Sequence, residues 1–162
     1  MKGRSLVVAA LVGCLLVVGT GSARAGCWSH TEDELELAKL TNATRAAHGV
    51  KHLRLDPQLS LVARDHTHDM IQADRLYHST YETLAPVLTG RWLAVGENVG
   101  SGGRPVSLHE EFMGSVTHRT TLLRKRWDRI GVGMITVGQR NWVTVLFSDG
   151  GDVGTTLKPP AC

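Results

Sequence analysis

Leu93-Ala94-Val95-Gly96-Glu97-Asn98-Val99 is apolar at both ends, carries a carboxylate and a carboxamide near its middle, and runs into Gly100-Ser101-Gly102-Gly103. A short apolar segment bounded by glycine predicts a buried strand, and the glycine-rich run from Gly96 to Gly103 predicts turn chemistry. That run lacks the G-K-[ST] ending of a phosphate loop. Three other short signatures surround it: His78-Ser79 before it, then Ser115-Val116-Thr117-His118-Arg119 and Ile130-Gly131-Val132-Gly133 after it. Each is too short to mean much alone. Their order and spacing are what decide the reading.

Working outward, the pattern predicts a first helix over Glu32 to His48, opened by a Ser29 or Thr31 capping box and stopped at Gly49. Asp56-Pro57 predicts the start of a second helix, with Asp56 as cap and Pro57 in the first turn. Its buried stripe is Leu59, Val62, Ala63, His66, Met70 and Ala73, while His68 points outward. Thr80 to Gly90 reads as a loop with at most one turn. Pro105 starts a third helix that ends near Ser115, and His118 to Leu123 adds a short fourth. Arg129 to Val137 and Trp142 to Ser148 form a hairpin around Gly138-Gln139-Arg140-Asn141. This order of elements predicts a small α+β layered domain.

Together with Asn42-x-x-Arg45, Leu55…Leu59…Ala63 and Asn141-Trp142…Phe147, the four signatures resemble the CAP superfamily. This is the fold of cysteine-rich secretory proteins, antigen 5 and pathogenesis-related proteins, and the likeness is closer to its compact bacterial branch. It covers roughly Leu35 to Phe147. It implies a single-domain three-layer α-β-α sandwich in which His78 faces His118 across the strand that bears Glu97. Two imidazoles and a carboxylate are chemically suited to a half-open divalent-metal shell, zinc above all. The same three side chains also suit a hydrogen-bonded cluster without metal. Asn98, Glu111 and Ser115 are further cleft candidates. The sequence departs from many eukaryotic members, which place a second glutamate three residues after a tryptophan; those positions are Ser115 and Phe112. Val116-Thr117 replaces the Pro-Gly that precedes the second histidine in bacterial relatives.

Residues 1–25 predict a secretory signal peptide: a basic start at Lys2 and Arg4, an apolar run from Leu6 to Val18, and Ala23-Arg24-Ala25 for cleavage. Leu11-Val12-Gly13-Cys14 offers the alternative of a lipid anchor on Cys14. Residues 26–149 then form the domain and 150–162 an extended tail. The chain has 18 basic and 15 acidic residues. Lys2, Arg4 and Arg24 leave with the leader, so the remaining domain is balanced and offers no electrostatic case for nucleic acid. Arg124-Lys125-Arg126 with Arg129 reads as a solvated face after a helix. Cys27 and Cys162 suggest one disulfide between the ends of an exported chain, with a ceiling of about 4–5 kcal/mol. A monomer without a mature membrane span is expected.

Other routes to chemistry fail on spacing. His109-Glu110-Glu111-Phe112-Met113 has methionine where a helical zinc-protease motif needs its second histidine, and no G-x-S-x-G elbow is present. Ser115 and His118, three apart, suit a helix-end hydrogen bond. Asn42 and Arg45 read as structural, although Asn42-Ala43-Thr44 is a formal glycosylation sequon. The sequence therefore favours a secreted, non-catalytic module. Its His78, Glu97 and His118 cleft would take a divalent cation and a lipid or cell-envelope ligand. The alternative is a metal-dependent hydrolase or peptidase with Glu97 as ligand or general base.

Overall fold

The computed structural model describes residues 29–84 and 94–149. The leader, Cys14, the Cys27 to Cys162 pairing, the 150–162 tail, the later part of the Thr80 to Gly90 loop and the expected strand start at Leu93 lie outside the described residues.

Helix α1 spans Glu32–Ala47 and starts at a complete Thr31/Glu34 capping box; Gly49, at φ +66°, follows its end. A two-residue strand β1, Arg54–Leu55, precedes α2, Pro57–Gln72, whose Asp56 cap accepts from the Gln58 and Leu59 N–H groups. Helix α3 is one turn, Tyr81–Leu84. Strand β2 runs Val95–Gly102, then α4 over Pro105–Gly114 and α5 over Val116–Leu122. Strands β3, Arg129–Val137, and β4, Arg140–Ser148, close the fold.

The sheet order is β1-β3-β4-β2; β1 pairs parallel to β3 and the other pairs are antiparallel. Alternation along the strands separates two cores. Ile130, Val132, Val143, Val145 and Phe147 join Leu37 of α1, Leu108 and Phe112 of α4, and Leu122 of α5. On the other face, Leu146 packs on Leu59 and Ala63 of α2, and Val99 and Trp142 on Met70. The result is the expected three-layer sandwich, with α2 and the one-turn α3 on one side.

Gly131 and Gly133 explain their signature. A Cβ on Gly131 would run into the α2 backbone at Leu59 and Ser60, and one on Gly133 into Ala63 and Arg64. Glycine lets helix and sheet meet backbone to backbone. Beyond its short pairing with β1, the edge of β3 is closed by buried side chains instead of a strand. Ser60 Oγ accepts the Val132 N–H at 3.1 Å and Glu34 Oε1 the Met134 N–H at 3.2 Å.

Three sequence expectations are corrected. The glycine-rich run is strand through Gly102, not a turn. Gly96, Gly100 and Gly102 lie beneath Trp127, Phe112 and Leu108, so their missing side chains admit the helical layer rather than a sharp bend. The hairpin turn is two residues, Gly138-Gln139, because Gly138 at φ +61° lets pairing resume at Arg140. Asn42 and Arg45 are structural, as expected. Asn42 exchanges hydrogen bonds with Leu53, and Arg45 donates to the carbonyls of Lys51, Leu122 and Arg124. Of the basic cluster, Arg124, Lys125 and Arg126 are exposed, whereas Arg129 is buried against Asp56.

Candidate functional site

Helix α2 ends with Ala73 as cap and Asp74 in the left-handed region at φ +47°. That reversal turns the chain back along the helix. His66 Nε2 then donates to the Tyr77 carbonyl at 2.9 Å, and its ring meets Tyr77 edge-on. Residues 77 to 79 are thereby laid beside β2, the outer strand of the sheet.

Glu97 is on the α2 face of β2, and its side chain is only 8% exposed. Its Oε1 accepts from His78 Nδ1 at 2.7 Å and from the Ser79 N–H at 2.9 Å. Because an ionised carboxylate only accepts, the neutral form of His78 carries its ring proton on Nδ1 and leaves the Nε2 lone pair free. The His78 side chain is 60% exposed. Glu97 Oε2 is buried without a hydrogen-bond partner, 4.0 Å from His66 Nε2. The carboxylate is thus gripped from inside and aims one imidazole at solvent.

His118 belongs to α5, across β2 in the other helical layer. Its carbonyl accepts from Asn98 Nδ2 at 3.0 Å, and its ring stands edge-on to Phe112 at 5.1 Å between centroids. Burial, and secondarily the charge of His78, lowers its pKa below the ordinary histidine value. His118 therefore favours the neutral form, whose ring nitrogen can bind a metal.

The remaining candidates divide clearly. Asn98 is buried and clamps α5 to β2 through its carboxamide. Ser115 caps α5, accepting the His118 N–H at 3.5 Å, and forms no dyad with the ring. Glu111 is exposed and lies near Gly102, five residues along β2 from Glu97, about 16 Å of strand. It does not complete the cluster. Among the described residues, no three His, Cys, Asp or Glu side chains form a group able to hold a metal ion. Glu97 Oε1 is taken up by His78 and Ser79.

Sequence reasoning missed a cleft of about 200 Å³ on the α2 side of His78, walled by Val62, Asp65, His66, Asp69, Tyr77 and Leu84 among others. His66 is the packing histidine expected of the stripe, and it also closes one side of the site. Asp65 and Asp69 gave no signal, since carboxylates four apart on a helix look like any solvated face.

Residues 38–147 match the CAP family, the cysteine-rich secretory protein family. The Bacillus subtilis (strain 168) protein YkwD is 31% identical over 111 residues, which are 65% of this chain and 43% of that protein. The chain thus spans less than half the length of this relative. An outer surface protein from Borrelia burgdorferi superposes at TM-score 0.68 and 19% identity, over 76% of this chain and 96% of its own. An extracellular protein containing a SCP domain, from Bacillus anthracis strain Ames, gives TM-score 0.65 and 24% identity over 73% and 40%. NaASP2, crystallised with Zn²⁺, gives 0.56 and 13% over 75% and 83%. At these identities the solved structures share the fold. Among the described residues no helix is long and apolar enough to cross a membrane.

Proposed function

The chain belongs to the CAP family, and from that premise we propose that it is an exported, non-catalytic binding module whose site is the outward face of His78. The observation that carries this reading is the 2.7 Å contact from His78 Nδ1 to Glu97. A histidine that donates one ring N–H to a carboxylate is set up to offer the other nitrogen to a metal. Nε2 of His78 and a ring nitrogen of His118 would hold a divalent cation such as zinc, with Glu97 orienting rather than ligating. NaASP2, which shares the fold, was crystallised with Zn²⁺. Bound there, the ion would supply a Lewis-acidic anchor for an oxygen of a lipid or cell-envelope ligand.

Binding is favoured over hydrolysis on the residues themselves. Two protein ligands fall one short of the three that a catalytic zinc usually keeps. Glu97 Oε1 is engaged by two donors and Oε2 is buried away from solvent, so neither oxygen is presented to an attacking water as a general base. Ser115 Oγ faces the start of α5. The test is calorimetric titration of zinc into the domain and into His78→Ala and His118→Ala, followed by a broad peptide and ester panel. Zinc binding lost in both variants, without turnover in any protein, is the expected result. A wild-type domain that takes no zinc removes the ion from this reading. Metal-dependent turnover that vanishes in both variants replaces binding with hydrolysis.

A further inference from the structure

We propose that the cleft beside α2 is a subsite for a cationic head on an aliphatic stem, a lysine-type side chain. It rests on reading this face of the protein as a binding site but needs no ion at His78. At about 200 Å³ the cleft is smaller than the roughly 300–1,000 Å³ that encloses a whole drug-sized ligand, so it suits one side chain of a larger one. Val62, Leu84 and the ring of Tyr77 offer apolar walls to a stem. Asp65 and Asp69 stand one helical turn apart in the same wall, both exposed. Among the described residues neither aspartate forms an ion pair, and Arg75, stacked over the Tyr77 ring at 4.9 Å, donates to neither.

A second observation points the same way. Glu97 makes its contacts with three residues of the cleft wall, His66, His78 and Ser79, and its Oε2 is buried with no partner. Ser79 Oγ is unpartnered as well. The cleft thus has two carboxylates without ion pairs at its mouth and the buried, unpartnered Ser79 Oγ in its wall. Glu97 lies behind that wall, outside the lining, and no lysine or arginine among the described residues lines the cleft. Carboxylates without ion pairs at the mouth of a partly enclosed, apolar-walled space favour a cation there. The stem would add apolar burial, so the site should distinguish lysine from both a bare ammonium and an uncharged chain of equal length.

The experiment uses the isotope-labelled exported domain at pH 7.5 with chelator present, titrated with Nα-acetyl-lysine N-methylamide and, separately, with the norleucine analogue and with ammonium chloride. Amide shifts in α2 and in residues 77–84 are expected for the lysine compound, with affinity about tenfold above norleucine and falling with added salt. The double variant Asp65→Asn/Asp69→Asn should reduce lysine to the norleucine level while its melting temperature and zinc titration stay as in wild type. Equal affinities for lysine and norleucine, shifts outside the cleft, no binding, or undiminished binding in the double variant would each overturn the proposal. Because the chelated protein reports only the cleft, failure here leaves the two-histidine reading to be judged by zinc alone.

Discussion

Asp56 and Arg129 form a buried ion pair, Oδ2 to Nη1 at 2.7 Å, that ties the first turn of α2 to the start of β3. Asp56 also caps α2, and its N–H donates to the Ile130 carbonyl at 2.8 Å. One carboxylate therefore fixes where the α2 layer begins along the sheet. Every site residue carried by α2 and the turn after it inherits that registration.

Removing the partner should leave the carboxylate buried without its counter-charge. Arg129→Ala is expected to cost about 3–5 kcal/mol, read as a fall in the urea midpoint. A loss under about 1 kcal/mol would show that other donors already satisfy Asp56.

The backbone contact beneath α2 gives a second expectation. Gly133→Ala should push Arg64 and the helix off the sheet, at a cost of about 1–3 kcal/mol or more. Gly138→Ala, with open space around its Cβ, should cost less, and only through its positive φ. Comparable denaturation midpoints for the two variants would contradict this account.

Glu97→Gln keeps the shape of the side chain but removes the charge that holds the His78 proton on Nδ1. Nitrogen NMR should show His78 shifting toward a mixture of tautomers, and zinc affinity should fall about 10–100-fold. An unchanged tautomer with unchanged zinc affinity would remove Glu97 from the site.

His118 and His109 both have lowered pKa values, chiefly through burial, and His30 is lowered likewise by burial despite the carboxylates of Glu34 and Asp56. Groups that bind protons less readily when folded make the unfolded chain the better proton acceptor. Stability should then be full above the ordinary histidine range and decline as pH falls below about 6.5. Thermal melts from about pH 8 to about pH 5 should show the fall, and His109→Gln should flatten it. Melting temperatures that rise on acidification would reverse the sign.

Ser115→Ala tests a cap against a nucleophile. Loss of a long 3.5 Å capping bond should cost about 0.5–1 kcal/mol and leave zinc binding intact. Loss of ligand binding without loss of stability would return Ser115 to the site.

Helix boundaries were legible because caps are local chemistry. Thr31 with Glu34, Asp56 with Pro57, and Gly49 each act within a few residues, and the observed helices start and stop where they direct. The extent of β2 was not legible. Its glycines look like turn formers until Trp127, Phe112 and Leu108 are seen lying over them.

The chain alone determined its family resemblance, its layered α+β class and the identities of His78, Glu97 and His118, since these rest on residue type and spacing. Only the tertiary structure decided their roles. Alternation along β2 sends Glu97 toward α2 and Asn98 toward α5, so the carboxylate orients His78 from one layer while the carboxamide anchors His118 in the other. The aspartates beside that histidine became a cleft only when the turn at Asp74 brought residues 77–84 back against the helix. Contacts between residues distant in sequence exist only after the layers pack, and spacing along a chain does not encode which face a partner will occupy.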